Sequence, residues 1–466
     1  MLKRLITLLF LAGLTSVHAA EPKPSEEMMG QVDVRNWIED SFKESPDGRR
    51  YAYVTQVGDH RQQAIVVDGK RGKVYDAIGA HPLLFSPDSK HVAYSARRKD
   101  KWRIVYDGVE GKGYDGLATP VFSPGSKQLA YKAKRGAKAV VVVNGKQGPP
   151  FDSLGEREHT LVFSPDGNRL AYMAREGGKE YVVVDGVKNA GYELIGAGTL
   201  VFSPDGQHYA YRAYADGKEL AVLDGQPQKA YGGIGSIVPV FSPDSQQLAY
   251  VAESDGQQFL VINGEEGKRY DDIISETPQF SGDGQRIAFS ARSKFANTEL
   301  SDSKEFVVVD GQEGKLYSRI KTFTPVFSPD SQHVAYVAEL DDKQFLVVDD
   351  KEQERYDDLG AYAPFFSPDS KQVAYRASIG EQLFVVMNGE EHTKYEGIGR
   401  GNPLFSPDSN HIAYRAIRGD KHFVVFDRQE GKPYDLILPE IRFNSANLMS
   451  YLAIKDNKIY RIRTAW

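Results

Sequence analysis

A turn tetrapeptide recurs along almost the whole chain, and it limits the possible folds more than any other feature. Its second residue falls at Pro46, Pro87, Pro124, Pro165, Pro204, Pro243, Gly282, Pro329, Pro368 and Pro407, at intervals of 41, 37, 41, 39, 39, 39, 47, 39 and 39 residues. An eleventh, degraded copy begins at Phe443, where Ser450-Tyr451 fills the slot that Ala413-Tyr414 fills one unit earlier. A period of about 40 residues marks an architecture in which one small unit stacks on copies of itself.

Four short strands account for each unit. The first ends in Phe-Ser, as in Pro120 to Ser123, and the second is Val-Ala-Tyr-x-Ala, as in Val92 to Ala96. The third is of the Phe306 to Asp310 type, and the fourth is brief and carries Tyr-Asp, as in Tyr270 to Ile273. Ser-Pro-Asp-Gly or Ser-Pro-Asp-Ser joins the first two strands, since Pro pre-sets φ and Asp bonds nearby amides. Asp-Gly or Asn-Gly, as at Asp68-Gly69, Asn144-Gly145, Asp185-Gly186 and Asn263-Gly264, supplies the positive φ of a tight hairpin after the third. Strands this short with turns this dense leave no room for helices, so the expected class is all-β.

The second strand lacks the apolar–polar alternation of a sheet with one wet face. Tyr94, Tyr131, Tyr172, Tyr211, Tyr250, Phe289, Tyr336, Tyr375 and Tyr414 point one way, and the alanine before each points the other. Both faces are therefore dry, and each sheet receives its neighbour's ring against an alanine. A buried Tyr or Val contributes about 1.5–3 kcal/mol, and a lone unit has no neighbour to bury it. Small sheets stacked face to face around an axis make a β-propeller.

The run Phe-Ser-Pro-Asp-(Gly/Ser)-x-x-(Val/Leu/Ile)-Ala-Tyr resembles the WD40-like repeat called PD40, found in the TolB C-terminal propeller and its relatives. The resemblance covers about residues 42 to 460 and recurs ten times. It implies four-stranded blades and a molecule that works through partners. The chain departs from true WD40 repeats in having no Trp-Asp dipeptide, its Trp residues being at 37, 102 and 466. It departs from TolB in leaving no room for an N-terminal α/β domain.

Val32 to Ile38 reads as a lone strand in the slot of a fourth strand, and the last unit supplies three strands, around Arg442-Phe443, Met449 to Ile454 and Ile459 to Ile462. With ten units of four, these make eleven blades, the N-terminal strand completing a sheet begun by the C-terminal segments. Propellers usually have four to eight blades, which favours two rings of six and five over one large ring. The ring boundary would fall near residues 264–279, just before a unit with Gly282 for Pro and an insertion from Ser293 to Lys304. Against the split, the loop at Gly264 is no longer than its counterparts, and no linker appears.

The first twenty residues have another character. Lys3 and Arg4 precede an apolar run from Leu5 to Leu14, and Val17-His18-Ala19 offers a cleavage site near Ala19 or Ala20. This is the layout of a secretory signal peptide, with an apolar run too short to span a bilayer. Residues 21–31 are then expected as a flexible N-terminal segment, and 32–466 as the propeller. The chain has no Cys, hence neither a disulfide framework nor a lipid-attachment site. The expected product is periplasmic or secreted, with no membrane span in the mature chain. Net charge is −6 and becomes more negative without Lys3 and Arg4, so nucleic acid has no electrostatic hold.

Because strands alternate in direction, the loops sort by face. First-to-second and third-to-fourth connections share a face and are near copies in every unit. Second-to-third and fourth-to-first connections share the other face and vary, and variable loops on a rigid scaffold are where recognition usually sits. The fourth-to-first loops should rim the channel, making His81, Arg157, His159, Phe323, Tyr362 and Arg400 the candidate binding residues. The plainer reading takes them as solvated loop residues.

Catalytic and metal chemistry find little support. His91, His208, His333 and His411 share one repeated hairpin slot, and only His81 and His159 fall in rim loops, so no metal site or cofactor is expected. Asp88, Asp166, Asp205, Asp244, Asp330, Asp369 and Asp408 are turn formers. The unrepeated Glu156, Glu158 and Glu276 are the only acids that suggest a glycosidase pair. No Gly-x-Ser-x-Gly elbow and no phosphate loop occurs. Two functions stay open. One is a non-catalytic envelope module binding a protein or glycan through the variable face. The other is a propeller enzyme, a lyase or glycoside hydrolase, with its site at the channel mouth.

Overall fold

A computed structural model describes residues 23–31, 36–38, 41–58, 62–79, 83–155, 160–235, 238–274, 278–293, 304–360, 364–399 and 403–466. These form eleven antiparallel sheets. The second strands of blades 1 to 11 are Tyr51–Val57, Val92–Arg98, Leu129–Arg135, Leu170–Glu176, Tyr209–Ala215, Leu248–Ser254, Ile287–Ser293, Val334–Leu340, Val373–Ile379, Ile412–Arg418 and Leu448–Lys455. Among the described residues there is no α-helix, and no helix is long and apolar enough to cross a membrane.

Blade 3 shows the common plan. Its innermost strand is broken, and both halves, Gly116–Leu117 and Val121–Phe122, pair with Leu129–Arg135. Lys138–Val143 and Lys146–Phe151 follow outward. The fourth strand therefore ends at the tyrosine or phenylalanine of the repeat. The residues after it, expected as part of the same strand, cross to the next sheet: Glu265–Tyr270 belongs to blade 6, but Asp272–Ile273 pairs within blade 7. The third-to-fourth turns have the expected left-handed pairs, with φ of 50° and 86° at Asn263-Gly264.

Both sheet faces are dry, as the Tyr/Ala pattern requires. Ala52 packs in one cluster with Tyr94, Ala130 with Tyr172, Ala249 with Phe289 and Ala374 with Tyr414. Most second-strand rings also meet the last aromatic of the preceding blade edge to face, as in Tyr75–Tyr94 at 6.2 Å and Tyr395–Tyr414 at 6.4 Å.

One ring contains all eleven blades. Apolar clusters unite every consecutive pair, including blades 6 and 7 through Tyr270 and Phe289, and blades 11 and 1 through Leu452 and Tyr53. The favoured split into six and five is thus corrected: blades 6 and 7 pack ring on alanine as other neighbours do, so one ring continues through that junction.

Blade 11 closes the circle as anticipated, from both chain ends, but with different residues. Lys23–Gln31, expected as flexible, is its outermost strand and runs antiparallel to Lys458–Ala465. Glu26 accepts a bond from the Tyr434 hydroxyl at 2.8 Å, the position Glu430 takes towards Tyr395. Of the expected strand Val32 to Ile38, the described part begins blade 1 instead, with Trp37 bridging Thr55 and the Ile38 N–H donating to Val54 O. An outermost strand has a solvent face, so Lys23–Gln31 carries no apolar run to announce it.

Candidate functional site

Hydrogen bonds assign the loops to faces. On one face the two repeated turns of a blade touch: Arg50 Nε meets Asp68 Oδ2 at 2.9 Å and His91 Nδ1 meets Asp107 Oδ2 at 2.6 Å. This face is also stitched from blade to blade. Ser89, Ser245, Ser331, Ser370 and Ser409 sit at φ of 63–66°, and their hydroxyls accept the N–H of the preceding turn's Asp47, Asp205, Asp283, Asp330 and Asp369 at 2.9–3.0 Å. The turn acids are structural: Ser86 and Ser406 hydroxyls hold the Asp88 and Asp408 carboxyls down to about 2.

The opposite face is built differently. There the acid after the fourth strand ties down the next blade's second-to-third turn, as Asp115 does for Gly136 N–H (2.7 Å) and Asp152 for Gly177 N–H (2.9 Å). Of the six candidate rim residues, Phe323 lies within the described part, between the two halves of blade 8's innermost strand. It is 61% exposed with a φ of 64°. His81, Arg157, His159, Tyr362 and Arg400 lie outside the described residues, as do Glu156, Glu158 and Glu276. Among the described residues no three His, Asp or Glu side chains converge to hold a metal.

Two sets of residues beneath this face do work that the repeat alone does not reveal. The second residue of the third strand acts as a clamp between blades. Gln63, Glu180, Glu219, Gln258, Glu305 and Gln344 accept the N–H of Ile78, Ile195, Ile234, Ile273, Ile320 and Leu359 in the next blade at 2.6–2.9 Å. The residue between Tyr and Ala of the second strand is a cation in some blades and reaches the next blade's innermost strand. Lys132 Nζ donates to Gly155 O and Thr160 Oγ1, Arg212 to Ile234 O and Arg415 to Ile437 O. The constant spacing of fifteen residues between clamp and N–H was the available signal.

A groove of about 380 Å³ opens on this face between blades 3 and 4, lined by Leu117, Lys132, Lys134, Lys138, Ala139, Asp152 and Leu154 among others. Lys138 and Asp152 pair across it at 2.6 Å.

No family model and no curated protein matches the chain. Solved structures do align. A crystal structure of the eukaryotic initiation factor covers 81% of this chain and 98% of its own at 14% identity, with a TM-score of 0.41. A structure of the Dos1 propeller covers 95% of each chain at 10% identity, with a TM-score of 0.34.

Proposed function

We propose that the protein is a non-catalytic interaction module, exported to the cell envelope, that binds a protein or glycan through its variable loop face. The contrast between the two faces carries this reading. One is consumed by turn-to-turn bonds that hold the ring together, whereas the other carries unrepeated loops on a rigid scaffold. The repeated acids and histidines that would attract a catalytic reading are engaged in internal bonds, His208 to Asp224 and His333 to Asp349 among them, each at 2.6 Å. The signal-like residues 1–20 and the PD40-like motif shared with TolB propellers support export and partner binding. Propellers host many unrelated activities, so the fold by itself favours neither binding nor catalysis.

Site-specific photo-crosslinking in the native envelope tests it. Probes at Lys99 and Phe323, on the variable face, should yield a discrete adduct that probes at Lys90 and Lys371, on the stitched face, do not. Equal labelling from both faces, or no adduct together with turnover of a polysaccharide panel, would replace binding by catalysis as the better account.

A further inference from the structure

The clamp between blades fails at one interface in a particular way. Ten blades hand the chain on to a following sheet, and six use a Gln or Glu oxygen to accept the N–H fifteen residues later. In the other four the slot holds Trp102, Leu383, His422 or Ala139. The first three are large: Trp102 lies under the Arg97 guanidinium, Leu383 packs against the blade 9–10 core, and His422 is half-buried. Ala139 is not large. Lys138-Ala139 stands where blades 4, 5 and 7 read Lys179-Glu180, Lys218-Glu219 and Lys304-Glu305.

The short side chain leaves more room than a filled slot does, since the corresponding groove beside Gln344 in blade 8 holds about 240 Å³. The groove of about 380 Å³ between blades 3 and 4 lies where the clamp would run, with Ala139 on one wall and Leu154, the residue fifteen later, on the other. Leu117 and Leu154 give it an apolar lining. Its charged lining is three lysines, Lys132, Lys134 and Lys138, against one acid, Asp152. That acid is already engaged by Lys138 at 2.6 Å and by the Gly177 N–H at 2.9 Å. A site with surplus positive charge, on a chain of net charge −6, selects an anion.

We propose that this groove binds a glutamate side chain of a partner polypeptide, whose methylenes lie between Leu117 and Leu154 and whose carboxylate takes the clamp position at the Leu154 N–H. The six filled interfaces are the template: the same carboxylate or amide, on the same two-carbon stem, already sits there when the chain supplies it. Lys134, exposed at the mouth, attracts the incoming charge. A charge-assisted bond to a backbone N–H in a half-buried groove is stronger than one in open water. The inference rests on the proposed role of the variable face for its choice of a polypeptide, but on the groove's own geometry for the glutamate.

The test is titration of the full chain with a blocked pentapeptide bearing Glu between two Leu residues, and with its Ala counterpart, followed by calorimetry. The Glu peptide should bind saturably and the Ala peptide at least about tenfold more weakly, a difference of about 1.4 kcal/mol. Ala139→Glu, which restores the clamp from within, should abolish binding while leaving thermal stability unchanged or raised, and Ala139→Gln should do the same. Lys134→Ala should weaken binding severalfold without altering stability. Equal binding to wild type and Ala139→Glu, or none up to about 10 mM, would overturn the proposal. Loss of this binding while face-specific crosslinks persist would remove the groove and leave the interaction face standing; the reverse would do the opposite.

Discussion

Glu44 shows how one residue marks where a ring of near-identical parts must join. Nine other blades hold Phe in its slot, from Phe85 to Phe405. Blade 1 holds a carboxylate there, and it pairs with Arg442, which occupies an otherwise mainly apolar slot in blade 11. Arg461, 7% exposed, adds a buried cation beside it and donates to Gly48 O at 3.1 Å. A polar pair at a single interface specifies which two sheets close the circle, the role best attested for buried ionic groups. Burial raises the Glu44 carboxyl from 4.5 to about 7 despite Arg442. The folded chain therefore keeps a proton that the unfolded chain has already released between those values. Linkage then makes this group's contribution to stability greatest at low pH, falling as pH rises towards 7 and constant above it. Glu44→Gln should remove that slope. Urea midpoints at about pH 5 and about pH 8 check it, and an unchanged slope in the variant would assign the effect elsewhere.

Among elements, the hairpins carry a hidden period of three blades that holds through blades 1 to 9 and breaks at blade 10, where His411 stands in the Arg slot. After the Ser-Pro-Asp turn the chain reads Arg50, His91, Gln128, Arg169, His208, Gln247, Arg286, His333, Gln372 and His411. The residue ending the third strand follows in step: Asp68, Asp107, Asn144, Asp185, Asp224, Asn263, Asp310, Asp349, Asn388 and Asp427. One oxygen of each Asp or Asn caps the second strand, as Asp310 Oδ1 does for Ile287 N–H and Asn263 Oδ1 for Leu248 N–H, both at 2.9 Å. The remaining atom is matched to its neighbour. Asp meets Arg or His, as Arg286 meets Asp310 at 2.8 Å, while Asn stands beside Gln. Gln128→Arg should gain little alone, but with Asn144→Asp it should show a favourable coupling of about 0.5–1 kcal/mol in a double-mutant cycle of unfolding free energies. Zero coupling would make the matching incidental. The four-strand unit and the Tyr/Ala faces were legible because each is set within a few residues. The end of the fourth strand was not, since Tyr270 and Asp272 are two residues apart yet lie in different sheets. Nor was Lys23–Gln31, whose outward face makes no apolar demand. Of the rim candidates, Phe323 alone falls among the described residues, whereas the clamp and its gap at Ala139 could have been found by aligning third strands rather than turns.

For the whole molecule, ring size was the least legible property. Each interface is the same pairwise contact whether six copies close or eleven, so local patterns carry no count. What decides is that an aromatic-on-alanine cluster joins blades 6 and 7 as it joins other neighbours, and that a different apolar cluster joins blade 11 to blade 1. The two chain ends meet in blade 11, so the closing strand comes from the opposite end of the chain and ties ring integrity to residues 23–31. Aromatic on alanine is the recurring dry contact between blades, with Phe289 as the ring between blades 6 and 7, and the seam between blades 11 and 1 is closed by a cluster without that contact. Electron cryomicroscopy of the full chain viewed down the axis tests this account most directly. It should show eleven sheets around one wide channel, with continuous density across the junction of blades 6 and 7. Two smaller rings, or a gap at that junction, would contradict it.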